Sequence, residues 1–300
     1  MFGVVAGFII GALYVAIELL SDLTIRKSVY AQWPWLRGGY GAPTTMAVAD
    51  TDINRNALVV ALMLWPTLAA GRSIRPEWLR RIAIVSVIVL ACTAVSLSSS
   101  QSAILTLVVG TLAAALSYSS PRHALRLVAV SWVITVVSVV PLVQGIAALG
   151  YQHDMRIPFS VRDRIAIWGH TASLVKQAPL FGAGLYAGRA RDETIPATRD
   201  PITSIGETTG RHAHNFYLQT WFELGGVGAA LLLATGLALL ATVRKLTPDI
   251  QRAPLTVFAA GAASIATSFG LEQLWLHATL MITACLIILA APRAGAHEVA

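Results

Sequence analysis

The residues best suited to chemistry lie in one polar stretch, about residues 145–215. It holds four of the seven histidines, His153, His170, His212 and His214, and eight Arg and Lys against six Asp and Glu. Its most specific piece is "GRHAHNFYLQTWFELGG", Gly210 to Gly226. Imidazole titrates near neutral pH, so His212 and His214 suit a general base or a substrate contact. Arg211 adds a cation beside them. Asn215, Gln219 and Glu223 follow at intervals of four and share one helix face. In a membrane helix such a stripe must face protein or a polar cavity, not lipid. A histidine pair can hold a metal ion, but no acidic or Cys complement accompanies this one, so no metal is expected.

Upstream, "SVRDRIAIWGHTASLVKQ" (Ser160 to Gln177) sets Ile165, Trp168, Ala172 and Val175 at helical spacing. This pattern predicts an amphipathic helix on the membrane surface, apolar side down, with Ser160 as its cap. Arg162 and Arg164 fall in its first turns, where cations oppose the helix dipole unless an anion offsets them. A guanidinium fork suits a phosphate-bearing ligand, and snorkelling to lipid phosphate is the alternative. In "QAPLFGAGLYAG", Pro179 ends the helix, and Gly182 and Gly184 permit a turn that closely approaches another backbone or a ligand. No nucleophilic Ser elbow or Cys–His arrangement is evident.

The rest of the chain must position these groups. It is 56% hydrophobic and 12% charged, with a mean hydropathy of +0.67. A soluble domain carries about 25% charged residues. The fold expected is all-α, a polytopic membrane bundle of about eight spanning helices, each about 20 residues long. The apolar runs are about 2–20, 54–71, 80–98, 102–119, 124–144, 216–243, 253–271 and 274–291. The first reads as a spanning helix, not a cleaved leader. Three parts follow: a bundle over 1–144, a large outer loop over 145–215 containing the surface helix, and closing helices over 216–300.

Short basic connectors set the orientation. Arg72, Arg75, Arg80 and Arg81 fill one; Arg122, His123 and Arg126 another; Arg244, Lys245 and Arg252 a third; Arg293 follows the last helix. Such loops stay in the cytoplasm, which puts both termini there. The opposite, periplasmic side then holds 21–53, Ser96 to Ser102, the 145–215 stretch, and the short turn from Phe269 to Trp275. These loops account for the net charge of +7. No basic helix with interleaved aromatics is present, so no nucleic-acid partner is expected. Cys92 and Cys285 lie in apolar runs and read as small membrane-buried residues rather than a disulfide or a metal pair. Glu18, near the end of the first run, is either a functional membrane acid or a solvated helix end. "DTDINRN" (Asp50 to Asn56) reads as a polar helix entry capped by Asp52 or Asn54 rather than as a metal site.

At these residues the chain resembles the O-antigen ligase family, which includes O-antigen polymerases and protein O-oligosaccharyl ligases. The matching pieces, in order, are "NRNALVVALMLWP", "SLSSSQSAILTLVVG", "RIAIW", "PLFGAGL" and "HNFYLQTWFELGGVG", across about residues 50–290. The resemblance implies a GT-C-type glycosyltransferase of the bacterial inner membrane. It would move a glycan from undecaprenyl pyrophosphate to a hydroxyl of lipid A–core, of a growing glycan or of a protein Ser, on the periplasmic face, without metal, nucleotide or other cofactor. It matches Arg164 to the Arg that holds the pyrophosphate and His214 to the catalytic His. Arg211, His212, Asn215, Asn56 and Arg162 are the accompanying substrate-binding candidates. Gln101 stands where many members carry a second phosphate-binding Arg. Either Arg55, Arg156, Arg162 or Arg211 substitutes, or the donor or activity differs. The chain is also shorter at its N-terminal side than most members, as a fragment, an inactive truncated relative or a compact one would be. A transporter of a lipid-linked solute is the reading from another class. It would call for charged groups near the midplane and broken helices in matched positions. Clustering of the polar groups in one outer loop favours an enzyme.

Overall fold

The structure, a computed structural model, describes residues 1–33, 45–194, 209, 212–267, 270 and 272–290, with backbone only for 45–52 and 192–194. The elements described are all helical. Two compact units emerge, each with its own packing.

The first unit comprises Met1–Pro121, Thr247–Ser264 and Trp275–Ala300. It contains α1 (Phe2–Leu20), α2 (Thr24–Gln32), α3 (Thr45–Gly71), α4 (Glu77–Leu97), α5 (Gln101–Ser119), most of α10 (Pro248–Thr267) and α11 (Leu274–Ala290). Helices α1, α3 and α4 pack mutually, with α5 against α3. Ala12, Ala57, Ala61, Ala91 and Ala94 are fully buried. Small side chains at such contacts let helix backbones approach closely, which drives packing where lipid removes the hydrophobic incentive. Glu18 is also fully buried, and its Oε1 accepts from the Arg26 backbone N–H at 2.9 Å. It therefore caps the first turn of α2 rather than meeting solvent.

Parts of the connector expected over 21–53 are helical: α2 occupies one stretch and α3 begins at Thr45. The apolar run of α3 simply extends outward as a polar helix. Asn54 thus lies inside the helix and is no cap: its Nδ2 donates to Ser99 Oγ at 2.9 Å. The side chains of Asp50 and Asp52 lie outside the described residues.

The second unit comprises Arg122–Leu246 and Ile265–Leu274. It contains nearly all of α6 (Pro121–Ala148), a 3-10 turn (Tyr151–His153), α7 (Phe159–Val175), α8 (Ala187–Thr194) and α9 (Phe216–Arg244). Two indoles join α6 to α9: Trp132 Nε1 donates to Leu233 O at 3.2 Å and Trp221 Nε1 to Val136 O at 2.8 Å. Gln144 Nε2 ties α6 to α7 through Ala172 O at 3.1 Å.

Among the described residues, α1, Ile53–Gly71 of α3, α4, α5, α6 and α9 are long and apolar enough to cross a membrane. The last run is helical but 17 residues long. Helix α10 carries Asp249, Gln251 and Arg252 in its first turns, which dilutes its apolar content. Outward-facing Val130, Ile134, Leu231 and Leu239 are exposed on the protein, as lipid contact requires. Cys92 and Cys285 are free thiols that also face outward.

Candidate functional site

All groups of the site described below belong to the second unit. Helix α7 starts at Phe159 with Pro158 as its N-cap, so Ser160 sits in the first turn rather than capping it. Pro158 is extended, as a residue that cannot donate at a helix start can be. The apolar stripe of α7, expected to face lipid, is covered by protein. Ile165, Ile167, Thr171, Ala172 and Val175 are buried, and the helix packs on α9. The amphipathic period was read correctly; its partner is protein instead of lipid.

Trp168 makes the decisive contact. Its Nε1 donates to Ala213 O at 2.8 Å, between the two candidate histidines. Arg164 lies one helical turn before Trp168 on the same face. The Arg-bearing helix and the His-bearing turn are thereby tied together. Replacing Trp168 by Phe keeps the ring and deletes this bond. We expect a stability loss of about 1 kcal/mol in thermal unfolding. The same change is expected to loosen the turn that carries His214, which loses its tether to α7.

His214 has φ of 50°, in the left-handed region. His visits that region more readily than most L residues, yet it is a sparse one, and such positions gather at functional sites. The next residue, Asn215, begins α9: its Oδ1 accepts from the Leu218 N–H at 3.0 Å. Asn215 is thus a helix cap whose carbonyl oxygen is committed. The rings of His212 and His214 stand 4.1 Å apart, tilted by 50°.

Beneath the histidines the polar stripe forms as its spacing predicts. Gln219 Nε2 donates to Glu223 Oε1 at 3.0 Å and to Glu272 Oε2 at 3.0 Å. Glu272 Oε1 also faces His212 Nδ1 at 3.4 Å. A small recess borders this network, lined by Thr171, Thr209, His212, Gln219, Phe222 and Glu223 among others. Glu272 escaped the sequence reading because it is remote from the histidines along the chain. The signal available was its standing as the single acid of the short stretch Phe269 to Trp275 between two apolar runs. It supplies the acidic complement that the sequence seemed to lack. Among the described residues, however, no three His, Cys, Asp or Glu side chains gather as metal ligands.

The turn Pro179–Gly184 fits into a break in α9. Gly225 has φ of 64° and ψ of −161°, which no helix tolerates. A continuous helix would join the N–H groups of 226 and 227 to the carbonyls of 222 and 223. Instead Gly226 N–H donates to Pro179 O at 2.8 Å and Val227 N–H to Leu180 O at 3.1 Å. Phe222 O accepts from Ala183 N–H at 2.8 Å, and Glu223 O from Gly184 N–H at 3.0 Å. These four backbone groups freed by the break are satisfied by the turn, as a membrane environment demands. Gly225 lies about 14 Å along the α9 axis from Phe216, at 1.5 Å per residue. The turn therefore reaches well down the helix. The sequence shows no broken helices in matched positions; α9 is broken at Gly225, and it is the single helix with such a break among those described.

A Cβ on Gly225 would strike the carbonyl of Leu180, and one on Gly182 would strike that of Glu223. Both neighbours are backbone and cannot step aside. Gly225→Ala is expected to destabilise by about 3 kcal/mol, combining overpacking with the left-handed penalty. Thermal unfolding in detergent would read this as a clearly lowered midpoint.

The remaining candidates are placed as follows. Arg162 is buried, with Nε donating to Ile157 O at 3.1 Å, Nη1 on Met155 Sδ at 3.1 Å and the Phe159 ring 5.7 Å away. It braces the loop entering α7. Arg156 is held by Asp154, with Nη2 to Oδ2 at 2.8 Å. These hydrogen bonds lower the Asp154 carboxyl to a pKa of about 2. Arg164 is half-buried, and among the described residues no carboxylate pairs with it at ion-pair distance. Burial pushes its guanidinium below the ordinary value, with Asp163 opposing. Arg211 lies outside the described residues. Gln101 and Asn56 belong to the first unit, Gln101 exposed as the first residue of α5 and Asn56 half-buried in α3.

A family model described as O-antigen ligase matches residues 57–233, more than half of the chain. The matched span covers Arg164, Trp168, the inserted turn, the histidines and the polar stripe, and stops short of Glu272. No curated protein matches.

Proposed function

Since the chain belongs to the O-antigen ligase family, we propose that it transfers a glycan from undecaprenyl pyrophosphate to a hydroxyl of lipid A–core, on the periplasmic face of the bacterial inner membrane. The observation that supports this most is the Trp168–Ala213 bond, which ties a phosphate-capable Arg to a base-capable His. His214 accepts the proton of the acceptor hydroxyl as its oxygen attacks the anomeric carbon. The bond from that carbon to the pyrophosphate oxygen breaks, and the departing oxygen carries away the electron pair. Arg164 stabilises the negative charge that builds there. A fixed donor of this kind is worth about 3 kcal/mol, and a positioned base about a hundred-fold in rate or more. The carrier's tail rests among lipid and the apolar outer faces of the helices.

The test is genetic. In a strain lacking the chain, surface lipopolysaccharide should lose its long glycans while lipid-linked polymer accumulates, and the wild-type chain should restore them. Lipopolysaccharide capped with single repeats would indicate polymerisation instead. Intact lipopolysaccharide with an unglycosylated protein would indicate protein transfer. Full complementation by both Arg164→Ala and His214→Ala would remove the assigned site.

A further inference from the structure

Within the proposed transfer reaction, on which this inference rests, one residue lies outside the matched family span yet faces one of the two histidines. We propose that Glu272 is the positioning residue of the site: its carboxylate fixes the ring of His212, against which the tilted ring of His214 packs. Three contacts converge on it, one of them from its chain neighbour Gln273, whose Nε2 donates to Oε1 at 3.4 Å. One carboxylate oxygen faces His212 Nδ1 at 3.4 Å, and the other accepts from Gln219 Nε2 at 3.0 Å. Gln219 is buried and spends its second amide hydrogen on Glu223. One amide thus pins two carboxylates, and Glu272 stays aimed at the imidazole. The backbone enforces the same arrangement. Gly270 is buried, and a Cβ there would meet Gln219, Glu272 and His212 together.

The consequence for chemistry follows from imidazole's two nitrogens. A carboxylate at Nδ1 holds a proton there and fixes the ring's rotation, which determines where Nε2 points. The tilted ring contact, 4.1 Å between centroids, passes that constraint to His214, whose backbone is already held in an uncommon conformation. Glu272 touches no reacting atom in this scheme. It acts through His212, and the turn before α11 becomes part of the site.

The experiment uses the full chain reconstituted in lipid vesicles, with histidines labelled by 15N. Two readouts are taken on wild type, Glu272→Gln, Glu272→Asp and Glu272→Ala. The first is the 15N signature of His212, assigned by its loss in His212→Gln. Wild type should show Nδ1 protonated and hydrogen-bonded, Glu272→Gln should retain a weaker form of that signature, and Glu272→Ala should lose it. The second is glycan transfer from the lipid pyrophosphate. Glu272→Ala should lower kcat about a hundred-fold with donor KM changed less than about three-fold, and Glu272→Asp should recover part of kcat. Wild-type kinetics in Glu272→Ala, or a His212 signature indifferent to that substitution, would overturn the proposal. If Glu272→Ala fails to fold, Glu272→Gln decides: an unchanged His212 spectrum and unchanged kcat count against it. A wild-type chain with no transfer activity contradicts the transfer reaction, whereas the spectrum still reports the Glu272–His212 pairing separately.

Discussion

His214→Asn is expected to reduce glycan transfer by about 10²–10⁴-fold while leaving the protein folded. Asn is the informative replacement. It tolerates the left-handed backbone that His214 adopts, so the conformation between Ala213 and the α9 cap survives. What disappears is the imidazole that takes the acceptor's proton. Alanine at the same position should lose as much activity and also some stability, because its Cβ gains nothing from a left-handed φ. Turnover of a fluorescent lipid-linked donor by the purified protein measures the loss, and thermal unfolding separates it from misfolding. Activity within tenfold of wild type in His214→Asn would show that the proton goes elsewhere.

Arg164→Ala should cost about 10²–10³-fold in turnover, the range seen when one fixed donor is removed from a charge-stabilising site. Arg164→Lys should recover little. A guanidinium offers two parallel donors to a phosphate, and an ammonium is a single, strongly hydrated point. Half-burial strengthens this expectation, because α7 is packed on α9 and cannot shift to bring a shorter head into place. By contrast, Arg162→Lys should act mainly on stability. Its guanidinium braces the Ile157 carbonyl and Met155 below the start of the helix. Comparing the two variants in one assay tests whether neighbouring arginines have separate tasks. Equal losses of turnover at equal stability would contradict the division.

Much of this site could be read from the sequence, for physical reasons that differ residue by residue. The four-residue interval of Asn215, Gln219 and Glu223 is a local rule, and the Gln219–Glu223 bond obeys it. Gly182 was expected to permit a close backbone approach, and it does, against the Glu223 carbonyl. The partner of that approach was hidden, since nothing local says that Gly225 breaks α9 or that residues 179–184 repair it. Both motifs were visible as separate words; their interlocking is a tertiary fact. The same holds for α7. Periodicity gave the apolar stripe but was silent on whether lipid or α9 would cover it. Glu272 was missed because a lone acid in a short turn acquires meaning only when the fold brings His212 to it. Spanning helices were legible through length and composition, and α10 and α11 are the weakest because one is dilute and the other short.

The most direct test of the account is a stoichiometric one. The purified chain, in vesicles holding a lipid-pyrophosphate-linked glycan and a lipid A–core acceptor, would be followed for both products. The account predicts that each glycan joined to the acceptor is matched by one released undecaprenyl pyrophosphate, and that His214→Asn and Arg164→Ala suppress both together. Release without a glycosylated acceptor, or paired product formation undiminished in His214→Asn, would contradict it.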